Sequence, residues 1–239
     1  MQPVYATPLV EVYHADALDV LASLETEVVD LVLTDPPYGV EWRSERRAET
    51  FDDILNDTPD DRHGIHLALV EMVRIVGQNR HIYVFGPTDV LDGLKVSAPA
   101  PLVWNKLRPG MGDLSSPWGP AHEPISFATS KYRHAGEAGR ENLPVRMRKG
   151  SVLDFAPPTG RNVRHPSEKP IALLAELIES STRQGDRVLD PFAGSGSTGV
   201  AAILAGRRAI LVESHRPYVD ITIDRVRRAE QLRREMVET

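Results

Sequence analysis

The sequence of 239 residues contains no cysteine. That absence excludes disulfides, thiolate metal sites and cysteine nucleophiles, and it agrees with a reducing compartment. No apolar run approaches the roughly 20 residues needed to span a bilayer. The start, Met1-Gln2-Pro3-Val4-Tyr5, lacks the basic segment and apolar stretch of a secretory signal. The chain therefore reads as soluble and cytoplasmic. An excess of positive charge is missing too: 28 Lys and Arg stand against 34 Asp and Glu, a net charge of −6. Such a balance does not advertise contact with phosphates, so a nucleic-acid partner would have to be met by basic residues gathered on one face. Hydrophobic residues at 41% and charged residues at 26% are near globular averages. The length suits one α/β domain of ordinary size.

Strand-like and helix-like apolar patterns alternate along the chain. Short strands are expected at Leu9 to Tyr13, Val28 to Leu33, His81 to Phe85, Leu102 to Trp104, Ile125 to Phe127, Arg187 to Leu189 and Ala209 to Val212. Helical spacing covers Leu18 to Leu24, Ile65 to Val76, Pro170 to Ser181, Val200 to Leu204 and Tyr218 to Glu235. This order predicts a largely parallel sheet with helices on both faces. Two stretches stand apart. Residues 39 to 60 hold seven acids against three arginines and read as a mobile surface loop. Residues 131 to 164 are rich in Gly, Pro and Arg, with eight Lys or Arg against three acids. That is a local positive charge the whole-chain balance conceals, although composition alone fits a solvated loop equally well.

Two motifs carry chemistry. The first is Asp190-Pro191-Phe192-Ala193-Gly194-Ser195-Gly196-Ser197-Thr198, between a strand and a helix. Strand, glycine-rich turn and helix form an arrangement that binds nucleoside cofactors, and Glu213, about 20 residues on, can accept hydrogen bonds from ribose hydroxyls. No Gly-Lys-Ser/Thr is present, so the turn is not a phosphate-binding P-loop. The second is Asp35-Pro36-Pro37-Tyr38, placed after an apolar strand, at the end where open α/β sheets bind ligands. The prolines hold the backbone extended and supply no N–H. Their carbonyls, the Asp35 carboxylate and a flat Tyr38 ring suit a planar group bearing an –NH2. Taken alone, Pro-Pro-Tyr is as well explained by a turn beside a core tyrosine.

Together these motifs resemble those of the S-adenosylmethionine-dependent amino-methyltransferases of DNA, the N6-adenine and N4-cytosine family. Asp35 to Tyr38 resembles the catalytic motif and Phe192 to Gly196 the cofactor motif. His165-Pro166-Ser167-Glu168-Lys169-Pro170 resembles the segment that precedes the latter in one subgroup. Trp104-Asn105-Lys106 and His122-Glu123 resemble intermediate segments. The catalytic motif comes first, which is similar to the β subgroup, a circularly permuted version of the Rossmann-like methyltransferase fold. The resemblance runs from about residue 9 to about residue 219.

The resemblance implies a single methyltransferase domain over 1–239, with the mobile loop at about 39–60 and a short target-recognition insertion at about 131–164. It implies direct methyl transfer to the exocyclic amine of a flipped-out base in double-stranded DNA, most simply adenine N6, with restriction-modification as one setting. The catalytic group would be Asp35, Pro36, Pro37 and Tyr38. Cofactor contacts would come from Asp16, Asp190, Phe192, Ala193, Gly194, Ser195, Gly196, Thr198 and Glu213, with Lys169 at the cofactor end of the pocket. Asp16 is equally a helix N-cap. Arg43, Arg133, Arg140, Arg146, Arg148 and Lys149 are the expected DNA contacts, whereas the arginines of the last helix read as a solvated face. No metal is implied, and the missing cysteine argues against methylation at cytosine C5. N4-cytosine methylation and a non-catalytic nucleic-acid-binding subunit are the alternatives. A homodimer is compatible with the resemblance, but no residue decides it.

Overall fold

A computed structural model describes residues 1–37, 62–87, 89–97, 100–109, 115, 117–130, 149–159 and 168–238. The loop expected at 39–60 and most of the basic segment lie outside the described residues. Nine strands form one sheet: β1 (Tyr5–Ala6), β2 (Val10–His14), β3 (Val29–Thr34), β4 (Val76–Phe85), β5 (Ala100–Asn105), β6 (His122–Thr129), β7 (Val152–Asp154), β8 (Arg187–Asp190) and β9 (Arg208–Glu213). Their order is β1-β2-β9-β8-β3-β4-β6-β5-β7. The central five, β2, β9, β8, β3 and β4, run parallel. β6 is antiparallel to both β4 and β5, and β7 pairs parallel with β5.

The parallel strands are short apolar runs because both faces are covered. Alternate residues divide between two cores. Val12, Leu31, Leu33, Tyr83, Phe85 and Leu211 pack against α3 (Ile171–Ser181), α4 (Ser197–Leu204) and α5 (Arg216–Glu238). Tyr13, Val32, Ile82, Val84, Leu189 and Ile210 pack against α1 (Ala17–Ser23) and α2 (Arg62–Ile75). Helices therefore cover both faces, as the pattern predicted. Among the described residues, no helix is long and apolar enough to cross a membrane.

Two elements escaped the sequence reading. The two-residue β1 is too short to show periodicity. β7 lies inside the segment read as irregular; it is an edge strand with exposed Val152 and Asp154, so it lacks the buried-run signature. The expected strand at His81 to Phe85 begins at Val76, because its polar first half, Gly77 to Arg80, masks the pattern.

The close approach of α4 to the sheet depends on Gly199. A Cβ there would overlap the Leu211 side chain and lie 3.3 Å from Val226 Cγ1, and both neighbours are fully buried. Alanine normally gains about 1 kcal/mol over glycine inside a helix, but overpacking a filled core costs about 1–3 kcal/mol. We expect Gly199→Ala to be destabilising on balance, by about 1 kcal/mol in urea unfolding. A stabilised variant would show that α4 can shift away from β9.

Candidate active site

The five parallel strands end at one edge of the sheet, so residues far apart in sequence line up there. In sheet order the exits carry Asp16 after β2, Glu213 ending β9, Asp190 ending β8, Asp35 after β3 and Phe85 ending β4. A cleft opens at this edge, lined by Thr34, Asp35, Phe85, Lys169, Asp190 and Phe192 and by the turn Ala193 to Ser195, with Thr198 behind it. It encloses roughly 420 Å³, part of it open to solvent. Asp35 and the cofactor candidates Lys169, Asp190, Phe192, Ala193, Gly194, Ser195 and Thr198 thus share one cavity, with Gly196 and Glu213 behind its glycine turn.

The glycine turn is held from several sides. The Ala193 amide donates to the Val212 carbonyl at 2.9 Å and the Gly196 amide to the Ala193 carbonyl at 2.8 Å. Gly196 takes a left-handed φ of 79° as it starts α4, and a Cβ there would lie 2.8 Å from Thr222 Cγ2. Conformation and space both therefore require glycine. The Gly194 amide donates to Glu213 Oε2 at 2.8 Å, and the His215 amide donates to Glu213 Oε1 at 2.7 Å. The Ser214 amide also bonds this carboxylate, and of its roughly four lone-pair sites one is left for another donor. Burial pushes Glu213 up to about 7, against the pull of those amides. Asp190 rises to about 6 for the same reason. Bonds from Thr198, from Thr34 Oγ1 at 2.8 Å and from the Phe192 amide at 3.2 Å oppose that rise.

Asp35 belongs to a chain of alternating charges. The Lys169 ammonium lies 2.5 Å from Asp35 Oδ2 and 2.9 Å from Glu123 Oε1. Lys106 Nζ lies 3.0 Å from Glu123 Oε2. Burial pushes Asp35 up, against the drawing-down effect of Lys169. Burial also works to raise Glu123, but the two ammonium groups outweigh it and hold this carboxyl below the usual range. Burial would lower Lys169, yet its two carboxylate neighbours prevail and raise it. We therefore assign a charged lysine, an ionised Glu123, and Asp35 as the more readily protonated carboxyl of the pair.

Not every expected residue joins the cleft. Asp16 caps α1, its Oδ1 accepting from the Leu18 amide at 2.8 Å. It stands one strand away from the cleft, beside Glu213. Pro36 and Pro37 lead the chain out of β3. Lys169, expected toward the cofactor end, places its ammonium against Asp35. The Lys149 ammonium pairs with Glu176 of α3. Tyr38, Arg43, Arg133, Arg140, Arg146 and Arg148 lie outside the described residues.

One reading needs correction. The arginines of α5 do not all form a solvated face. Arg225 bonds the Ser195 carbonyl at 2.9 Å and Ser195 Oγ at 2.7 Å, and pairs with Glu168 at 2.8 Å. Its side chain is 12% exposed and that of Glu168 is 9% exposed. The signal was present: Tyr218, Thr222, Arg225 and Ala229 recur at helical spacing on the side of α5 that packs inward. Arg227 and Arg228 remain exposed as expected. Removing one partner of a buried ion pair strands the other, so we expect Arg225→Ala to lose about 3 kcal/mol of stability in denaturant unfolding. A loss within about 0.5 kcal/mol would show that the pair behaves as a surface contact.

A family model described as DNA methylase, for the N6 and N4 enzymes, matches residues 29–224. The DNA adenine methyltransferase YhdJ of Escherichia coli (strain K12) is 27% identical, over 90% of this chain and 82% of its own. Among solved structures, the M1.HpyAVI–SAM complex superposes with a TM-score of 0.67 at 22% identity, covering 91% of this chain and 99% of that one. The cytosine-N4-specific PvuII DNA methyltransferase superposes with a TM-score of 0.71 at 15% identity, covering 99% of this chain and 95% of that one. These two superpositions speak to the fold.

Proposed function

We propose, from the premise that this chain belongs to the N6/N4 family of S-adenosylmethionine-dependent DNA amino-methyltransferases, that its target is the N6 amine of adenine. The observation that carries methylation of an exocyclic amine is the convergence, in one cleft, of Asp35 after β3 and the glycine turn after β8; Asp rather than Ser at position 35 favours adenine. YhdJ, named as an adenine enzyme, supports that choice of base.

The cleft suits the cofactor. Glu213 keeps an acceptor lone pair for a ribose hydroxyl, Phe192 offers an aromatic face, and the glycine turn leaves the backbone accessible. Asp190, Ala193, Ser195 and Thr198 complete the wall, Gly196 shapes the turn behind it, and Asp16 stands one strand further along for the adenine end. When bound, S-adenosylmethionine supplies an electrophilic methyl group on a positively charged sulfur. Asp35 and the Pro36 carbonyl would accept hydrogen bonds from the target amine and so make its lone pair more available. Pro37 contributes no competing N–H, and Tyr38 would stack on the flipped base. Arg43, Arg133, Arg140, Arg146 and Arg148 would meet the phosphates or base edges. Lys149 would have to leave Glu176 to join them. We place the reaction in the cytoplasm of a bacterial or phage-infected cell, where cofactor and DNA coexist.

A transfer assay tests the base directly. Labelled S-adenosylmethionine and unmethylated duplex DNA are incubated with the protein, and the DNA is digested to nucleosides. We expect label in N6-methyladenine, reduced at least about a hundredfold by Asp35→Ala. Label in N4-methylcytosine would keep the grip on the amine and overturn the choice of base.

Cofactor affinity should also follow the Glu213 charge. An ionised carboxylate is the better acceptor, and burial holds this one near 7. We expect affinity in titration calorimetry to be flat above that pH and to weaken below it, toward about tenfold per pH unit. Folding stability runs the other way. A carboxyl raised in the folded state binds protons more readily there than in the unfolded chain. Its contribution therefore grows as pH falls from about 7 through the ordinary value of 4.5. Affinity that does not change between pH 6 and 8 would remove Glu213 from the cofactor site.

A further inference from the structure

Asp35 is shared between the target amine it would grip and a buried lysine that also holds a second carboxylate. Lys169 is 9% exposed, and its ammonium touches Asp35, Glu123 and, at 4.9 Å, the face of the Phe85 ring. Glu123 is held in turn by Lys106, whose ammonium lies 4.9 Å from the Trp104 ring. The Trp104 indole donates to the Phe155 carbonyl at 2.7 Å. Sheet topology explains the meeting. Because β6 is antiparallel to β4, its second residue, Glu123, arrives at the edge where β3 and β4 end, and β5 delivers Lys106 to the same edge.

We propose that Glu123 is a positioning residue for methyl transfer, the alternative partner onto which the Lys169 ammonium withdraws when the target amine takes the Asp35 carboxylate. The proposal rests on the reading of Asp35 as the acceptor of that amine. An ammonium and an amine compete for the same lone pairs, and a carboxylate already engaged by a cation is a weaker acceptor for a neutral N–H. A lysine this buried cannot simply be released, since an unpaired buried charge is strongly disfavoured. Glu123 removes that obstacle, because Lys169 already touches it and can let go of Asp35 while keeping an ion pair. Lys106 keeps Glu123 in place and ionised as the exchange occurs. The groups facing Asp35 are then Lys169 from the segment before α3, Glu123 from β6, Lys106 after β5 and Asp190 at the end of β8.

Glu123→Gln in the full chain tests this, with Glu123→Asp and Asp35→Ala alongside. With its alternative partner gone, Lys169 stays on Asp35. We expect kcat to fall about a hundredfold while S-adenosylmethionine affinity, measured by calorimetry without DNA, stays within about twofold. Glu123 also raises Asp35 by like-charge repulsion, so its removal should shift the acid limb of the kcat–pH profile to lower pH. Glu123→Asp keeps the charge and should recover part of kcat. Unchanged cofactor affinity also reports that the variant is folded. If affinity falls in step with kcat, Glu123 acts on the cofactor and the proposal is wrong. If kcat and the acid limb do not move while Asp35→Ala is inactive, the proposal alone fails. If Asp35→Ala stays active, the role given to Asp35 fails and this proposal with it.

Discussion

Everything at the site depends on the parallel pairing of β3 with β8. Leu31 stands opposite Val188 and Val32 opposite Leu189, so the two strands finish in step and present Asp35 and Asp190 at one edge. The residues that meet there are more than 150 positions apart, as in the Thr34 hydroxyl bond to Asp190. A parallel neighbour must be reached by a crossover, and crossovers carry helices to the faces of the sheet. The two apolar cores follow from that. A shift of one residue between β3 and β8 would turn the apolar side chains to the opposite faces and carry Asp35 away from the glycine turn. Core packing and site geometry are therefore set by the same register.

The buried charges at this edge are tolerable only as a set. Asp35, Glu123 and Lys169 are costly singly, and the structure offsets each with an opposite neighbour. Asp190 and Glu213 have hydrogen-bond donors and, among the described residues, no lysine or arginine acting on them. The two solutions differ in consequence. Ion pairing keeps Glu123 charged over a wide pH range, whereas donor-only carboxyls rise toward neutrality. Burial therefore raises Asp190 and Glu213, while the neighbouring ammonium groups hold Glu123 below the usual carboxylate range.

The sequence made the central elements legible because their residues are constrained locally. β3 is an apolar run interrupted only by Asp30, and β8 a short apolar step between Arg187 and Asp190; Pro36 and Pro37 stop the first, and Gly194 and Gly196 mark the turn after the second. Glu213 was found by its distance from that turn. What stayed hidden was whatever depends on a partner distant in the chain. Nothing near Glu123 in sequence indicates that an antiparallel strand delivers it to Asp35. Arg225 looked like one of several exposed arginines until its helical phase was compared with Thr222 and Ala229. Lys169 was assigned to the pocket through its motif, but only the fold shows which carboxylates it touches. The edge strands β1 and β7 carry too few buried residues to leave a pattern.

The acid excess of the chain, at first an argument against a DNA substrate, becomes consistent once charges are assigned to places. Asp35, Glu168, Asp190 and Lys169 line the cleft, and Glu123 with Lys106, Arg225 and Glu213 are bonded directly behind them. With Glu213 near half-ionised and Asp190 mostly ionised at neutral pH, that leaves a mildly negative cavity. A mildly negative cavity attracts a sulfonium cofactor of net positive charge and repels a phosphate chain. It should therefore admit a base alone and keep the backbone at the rim. Cations for that backbone must come from outside the cleft, and the +5 of residues 131 to 164 is where the sequence concentrates them. A net charge of −6 over the whole chain is therefore no argument against a polyanionic substrate.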